Sequence, residues 1–180
     1  NYGSAAQIYT GHNAAVLANA NLTAEQLSRG TQALDAYTSV TDARFETVAQ
    51  SLVTWNAVSL HLQDSISVIY KMETSDPTGM VAKVRNANGD VLQTIDSSEF
   101  ELDNGVYKIR FTKLVASQLS DDLYITIYKD DVAVSDTVRY SVESYAAVYS
   151  NPSKGGQALA DLVNTMMKYG HSAKAYVEAR

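Results

Sequence analysis

Between residues 51 and 140, apolar side chains recur at every second position in short runs, and each run ends in a turn-forming cluster. A period of two belongs to strands, whose successive side chains face opposite ways. Val58, Leu60 and Leu62 alternate with Ala57, Ser59 and His61, which reads as a half-buried strand. After a turn at Gln63-Asp64, the residues Ile66, Val68, Tyr70 and Met72 alternate in the same way. Asp76-Pro77-Thr78-Gly79 is a turn signal, and Asn-Gly pairs sit between 81–85 and 91–95 and between 99–102 and 106–112. Residues 114–119 read as a short crossover. Leu123, Ile125 and Ile127 then form one face of a strand, with Tyr124, Thr126 and Tyr128 on the other. Asp130-Asp131 turns the chain into a last strand over 132–140. About seven or eight short strands with frequent turns predict an antiparallel, Ig-like β-sandwich.

Both flanks switch to helical period. Tyr2-Gly3-Ser4-Ala5-Ala6-Gln7-Ile8-Tyr9 and Tyr169-Gly170-His171-Ser172-Ala173-Lys174-Ala175-Tyr176 share the pattern Tyr-Gly-x-x-Ala-x-x-Tyr. On a helix its first, fifth and eighth positions fall on one stripe. The first copy is closed by Gly11, a C-terminal cap glycine. Leu22-Thr23-Ala24-Glu25-Gln26-Leu27 is a capping signature, with Thr23 as N-cap and Gln26 at N3. Residues 31–47 are ambiguous between extended chain and a short helix. Past Tyr140, Val142, Tyr145 and Tyr149 share a helical stripe, which Asn151-Pro152 breaks. Over 157–179, Leu159, Leu162, Val163, Met166, Tyr169, Ala173 and Tyr176 make one apolar face. Gly170 costs such a helix about 1 kcal/mol relative to Ala, so a close backbone approach is expected there. The predicted architecture is α+β, one module over 1–180. It has an N-terminal helical segment at 1–47, a sandwich at 48–140 and C-terminal helices at 141–180, the end helices packed on the rest. Tyr2, Gly3, Ala6, Tyr9, Tyr169, Gly170, Ala173 and Tyr176 are the expected packing seam between helices.

The chain's 180 residues, 46% hydrophobic and 19% charged, suit one folded domain with a core. A net charge of −6 argues against nucleic acid as a partner. There is no cysteine, which removes disulfides, thiolate catalysis and Cys-based zinc sites. No apolar run approaches eighteen residues, so no membrane insertion is expected. The chain opens in helical pattern at a residue other than Met, which suggests a piece of a longer protein that carries the targeting signals elsewhere.

Tyr140-Ser141-Val142-x-x-Tyr145-Ala146, then Leu162-Val163-x-x-Met166-Met167-x-Tyr169-Gly170-x-x-Ala173-x-x-Tyr176, resembles modules of large surface and secreted proteins of gut and rumen clostridial bacteria. Leu60-x-Leu62-x-Asp64-Ser65-Ile66-Ser67-Val68 shares the likeness. In those proteins a β module ends in a helical Tyr-Gly-x-x-Ala segment, often near carbohydrate-active modules or dockerins. The resemblance covers most of 50–180 and the first ten residues. It implies an extracellular or cell-surface location and a noncatalytic accessory role, and it supplies no catalytic residue.

The residues themselves suggest no enzyme. His12, His61 and His171 are scattered, no Gly-x-Ser-x-Gly elbow is present, and Gly155-Gly156 lacks the surroundings of a phosphate loop. Asp121-Asp122 and Asp130-Asp131 offer oxygen ligands that could take calcium, but without EF-hand spacing. No metal or cofactor is expected beyond that. Strand alternation points Tyr124 and Tyr128 away from the Leu/Ile face, about 13 Å apart. The same alternation points Trp55 away from Val58 and Leu60, beside Ser59 and His61. Sugars stack apolar ring faces on aromatic side chains, so Trp55, His61, Tyr124 and Tyr128 are the candidate glycan-binding residues. The bland alternative is that the helices pack on these same tyrosines. The expected function is glycan binding or adhesion by a noncatalytic module, and the alternative is a structural spacer or docking unit. The expected partners are a polysaccharide or neighbouring domains of the same chain.

Overall fold

The structure is a computed structural model that describes residues 38–39, 45, 47–62 and 65–180. The first tyrosine motif, the Thr23 cap and the Gln63-Asp64 turn lie outside the described residues. The chain is α+β, with two antiparallel sheets and a C-terminal helix. The strands are β1 Thr38–Ser39, β2 Thr54–Leu62, β3 Ile66–Glu73, β4 Met80–Arg85, β5 Val91–Asp96, β6 Glu101–Asp103, β7 Val106–Phe111, β8 Leu123–Lys129, β9 Val132–Ala133 and β10 Val138–Tyr140. The helices are α1 Val142–Tyr149, α2 Pro152–Gly155 and α3 Gln157–Glu178.

The chain divides into two compact units. The sandwich unit comprises Ala36–Leu114 and Asp121–Tyr140, and the described part of the helical unit comprises Val115–Ser120 and Ser141–Arg180. The sandwich unit ends at Tyr140, as the expected division at 141 has it, and the expected start at 48 shifts. The sandwich starts earlier, because β1 pairs with β10, and the crossover at 115–120 groups with the helices.

In the sandwich unit the first sheet runs β1-β10-β8-β4-β5, with β9 on β8, and the second runs β2-β3-β7-β6. Turn chemistry sets the hairpins. Asn104 (φ 51°) with Gly105 (φ 85°), and Asp130 (φ 50°) with Asp131 (φ 60°), hold the paired left-handed conformations that match strand twist. In the 86–90 loop, the Asn86 side-chain oxygen accepts from the backbone N–H groups of Asn88 and Asp90, each at 2.9 Å. The inward faces contribute Val68, Tyr70, Met72, Ile109 and Phe111 from one sheet and Ala82, Val84, Ile95, Ile125, Ile127 and Val138 from the other, all at 2% exposure or less. Each large side chain so buried contributes about 1.5–3 kcal/mol. Gln93 ties the sheets together: its Oε1 accepts from Thr112 N at 2.9 Å and its Nε2 donates to Arg110 O at 3.5 Å.

The strand expected over 132–140 is broken in two. The Ile127 N–H donates to the Ser135 hydroxyl at 2.9 Å, where a regular ladder would use a backbone carbonyl. A side chain has entered the ladder, so pairing lapses between β9 and β10.

In the helical unit α1 covers the expected residues. Asn151 caps α2 by accepting from Ser153 N at 3.0 Å, with Pro152 in the first turn, where its missing N–H costs nothing. α3 buries Ala160, Val163, Met167 and Gly170 along one face, together with Leu162, Asn164, Thr165 and Met166. A Cβ on Gly170 would stand 2.9 Å from Leu119 Cδ1, 3.0 Å from Leu119 Cβ and 3.2 Å from the Ala116 carbonyl oxygen. The turn at Ala116–Gln118 approaches α3 there, and only glycine leaves room.

Candidate functional site

The four candidate glycan residues fall on two different sheets. Trp55 and His61 belong to β2, and Tyr124 and Tyr128 to β8. They form no single platform.

Trp55 does not face outward beside His61. The register pairs Trp55 with Met72 but Ala57 with Lys71, so Asn56 is an extra residue, a β-bulge. The bulge cancels the parity of the three-residue step from Trp55 to Val58 and puts both on the face of Met72 and Tyr70. Trp55 is accordingly only 9% exposed. Its ring meets Tyr70 edge-on, with centroids 6.3 Å apart, and its Nε1 donates to Asp136 O at 3.4 Å. His61 pairs with Ser67 on the opposite, outer face and is half-buried. Across β3 and β7 that face is mixed: buried Ile69 lies between Ser67 and Lys71, and Lys108 and Arg110 share the face. Lys108 meets Asp103 at 2.6 Å, and this contact holds the Asp103 carboxyl below its usual range. Arg110 reaches Glu101 at 3.7 Å and Ser67 Oγ at 3.4 Å.

Tyr124 and Tyr128 do point away from Ile125 and Ile127, but that side of β8 is also covered. They are 7% and 5% exposed, and Thr126 between them is fully buried. Phe45 stacks on Tyr124 with ring centroids 4.5 Å apart. The Thr126 and Thr137 hydroxyls share a hydrogen bond of 2.7 Å. Over the Tyr128 ring lie Lys83 Nζ at 4.5 Å and Arg85 Cζ at 5.1 Å from its centre. Both rings thus have occupied faces.

In the second tyrosine motif Gly170 is buried, Ala173 is partly buried, and Tyr169 and Tyr176 are 53% and 60% exposed. The contact face of α3 runs through Gly170, about a third of a turn from the tyrosines. Tyr2, Gly3, Ala6 and Tyr9 lie outside the described residues.

Two features were not anticipated from the sequence. In the helical unit the buried Glu143 carboxylate lies 3.6 Å from His171 Nε2, beside a 3.1 Å bond between the Ser141 and Ser144 hydroxyls. Helical spacing marks His171 as a surface position, and nothing local signals that a carboxylate from α1 reaches it. In the sandwich Tyr70 is fully buried, its hydroxyl has no partner among the described residues, and desolvation drives its pKa far up. Among the described residues no group of three or more His, Asp or Glu is placed to hold a metal, and no helix is long and apolar enough to cross a membrane.

No family model, curated protein or solved structure matches this chain.

Proposed function

We propose that this chain is a noncatalytic accessory module of a multidomain bacterial surface or secreted protein, and that its work is structural: it spaces or docks neighbouring domains. The observation that carries this reading is the use of the aromatic side chains. Trp55 fills the space between the sheets, and Tyr124 and Tyr128 are covered, so the rings are spent on packing. The sandwich belongs to the Ig-like kind in this reading. The orders β2-β3-β7-β6 and β10-β8-β4-β5 correspond to strands A-B-E-D and G-F-C-C′ of that architecture. The motif resemblance to clostridial surface modules gives the extracellular setting.

Small-angle scattering on the parent protein tests the spacer role. Fixed distances between this module and its neighbours are expected, and freely tumbling neighbours would overturn it. A second reading, binding or adhesion to a polysaccharide, has one specific observation in its favour: cationic side chains gather around Tyr124 and Tyr128. On that reading recognition works by charge and hydrogen bonding more than by ring stacking.

A further inference from the structure

The outward face of the first sheet carries Lys83, Arg85 and Arg139 together. Lys83 lies opposite Thr126, and Arg85 and Arg139 lie opposite Tyr124 from its two sides. Residues directly opposite on neighbouring strands share a face. Lys83 and Arg85 converge on one Tyr128 ring, at 4.5 and 5.1 Å from its centre. The ring's π-cloud attracts each cation, but the two cations repel one another. Lys83 has an anion in Asp131 at 3.5 Å, whose side chain is 96% exposed and holds the lysine weakly. No carboxylate among the described residues forms a salt bridge with Arg85 or Arg139. All three cationic side chains are partly exposed. Asp96, paired with Val81, lies at the β5 end of the face.

We propose that this face binds a carboxylate-bearing polysaccharide, with Arg85, Arg139 and Lys83 taking the carboxylates; the inference rests on the glycan-binding reading above. Two strand spacings separate Arg85 from Arg139, about 10 Å, and two residues separate Lys83 from Arg85, about 7 Å. That spacing is longer than one sugar ring, so the cations meet carboxylates on alternate rings of the chain. Guanidinium groups take carboxylates in a two-pronged geometry that an uncharged sugar cannot offer. Tyr128 is the floor under Lys83 and Arg85, while Tyr124, between Arg85 and Arg139 in register, carries Phe45 on its ring. The protein's net charge of −6 repels a polyanion at long range, so retention must come from this local cluster.

Affinity electrophoresis of the full 180-residue chain tests this in gels containing polygalacturonate, its fully methyl-esterified form, starch or dextran sulfate. Retardation by polygalacturonate is expected, much weaker retardation by the ester, and a fall as salt rises. Arg85→Ala and Arg139→Ala should each weaken binding roughly tenfold, the loss of one charge-assisted contact. Lys83→Gln, which keeps most of the side chain's length, should weaken it too, with an unchanged circular dichroism spectrum in every variant. Equal retardation by the ester and by starch would overturn the charge-based inference while leaving glycan binding intact. No retardation in any gel would overturn both. Retention on dextran sulfate that matches polygalacturonate and survives all three substitutions would reduce the effect to nonspecific charge and overturn the inference.

Discussion

The two units treat their aromatic residues in opposite ways. In the sandwich, Trp55, Tyr124 and Tyr128 read from the sequence as an outer face, and they are 9%, 7% and 5% exposed. In the helical unit, Tyr169 and Tyr176 read as an inner seam, and they are 53% and 60% exposed. Periodicity says which side chains share a face. It does not say whether a second face is covered, nor where a bulge shifts the phase. A strand with polar residues on one side can be buried on both when those residues find partners, as Thr126 does in Thr137. A helix can turn its tyrosines out when a glycine allows tighter contact beside them, as Gly170 does against Leu119.

The largest effect expected from this contrast is at Trp55. Trp55→Ala removes a core ring and should destabilise the sandwich by about 3–5 kcal/mol in urea unfolding. A loss below about 1 kcal/mol would mean that the ring is on the surface after all, with the bulge at Asn56 absent in solution.

Gly170→Ala comes next. Alanine favours an isolated helix by about 1 kcal/mol over glycine. Here the added methyl meets Leu119 Cβ at 3.0 Å and a backbone oxygen at 3.2 Å, neither of which is the free end of a flexible side chain. Overpacking of this kind costs about 1–3 kcal/mol, so a net destabilisation is expected in thermal unfolding. A rise in melting temperature would show that propensity wins and that the Ala116–Gln118 turn is not held against α3.

The strands and hairpins were legible because their signals are local. Asn104-Gly105 and Asp130-Asp131 dictate turns with few neighbours involved, and the alternation of Leu123, Ile125 and Ile127 names the core side of β8 unaided. The candidate site was far less legible, because each error came from something distant in sequence. The Asn56 bulge is defined only by the partner strand, and Phe45 covers Tyr124 from 79 positions away in the chain, a contact no periodicity encodes. The Ser135 hydroxyl that breaks the last strand has a local signal only in hindsight, since serine is common within strands that do not break. The cations beside Tyr128 converge because β4 lies against β8, a pairing that no local signal in the sequence gives.

Tyr70 sharpens the sandwich half of the contrast with a smaller effect. Its hydroxyl is buried with no partner among the described residues, so Tyr70→Phe should leave stability at pH 7 unchanged or raise it by up to about 1 kcal/mol. Burial pushes the phenol's pKa up, so the unfolded chain gives up this proton first as pH rises. The stability that this group confers is whole below about pH 10 and declines above it, by up to about 1.4 kcal/mol per pH unit. The difference between Tyr70→Phe and the parent should therefore widen in favour of the variant above pH 10 in alkaline denaturant titrations. Parallel curves would place the hydroxyl in contact with water.

The smallest effect belongs to the exposed tyrosine of the helical unit. Tyr176 lies under the Arg180 guanidinium at 4.6 Å, a contact on the last turn of α3 where the helix frays. Such an exposed cation–π pair is worth about 0.5 kcal/mol, and alanine returns part of that through its higher helix propensity. Tyr176→Ala should then change unfolding free energy by less than about 0.5 kcal/mol, an order of magnitude below Trp55→Ala. The same ring type would cost much in one unit and almost nothing in the other, although the duplicated motif makes Tyr176 the more conspicuous residue in the sequence. A loss comparable to that of Trp55 would mean that Tyr176 is buried in solution, and the contrast between the two units would collapse.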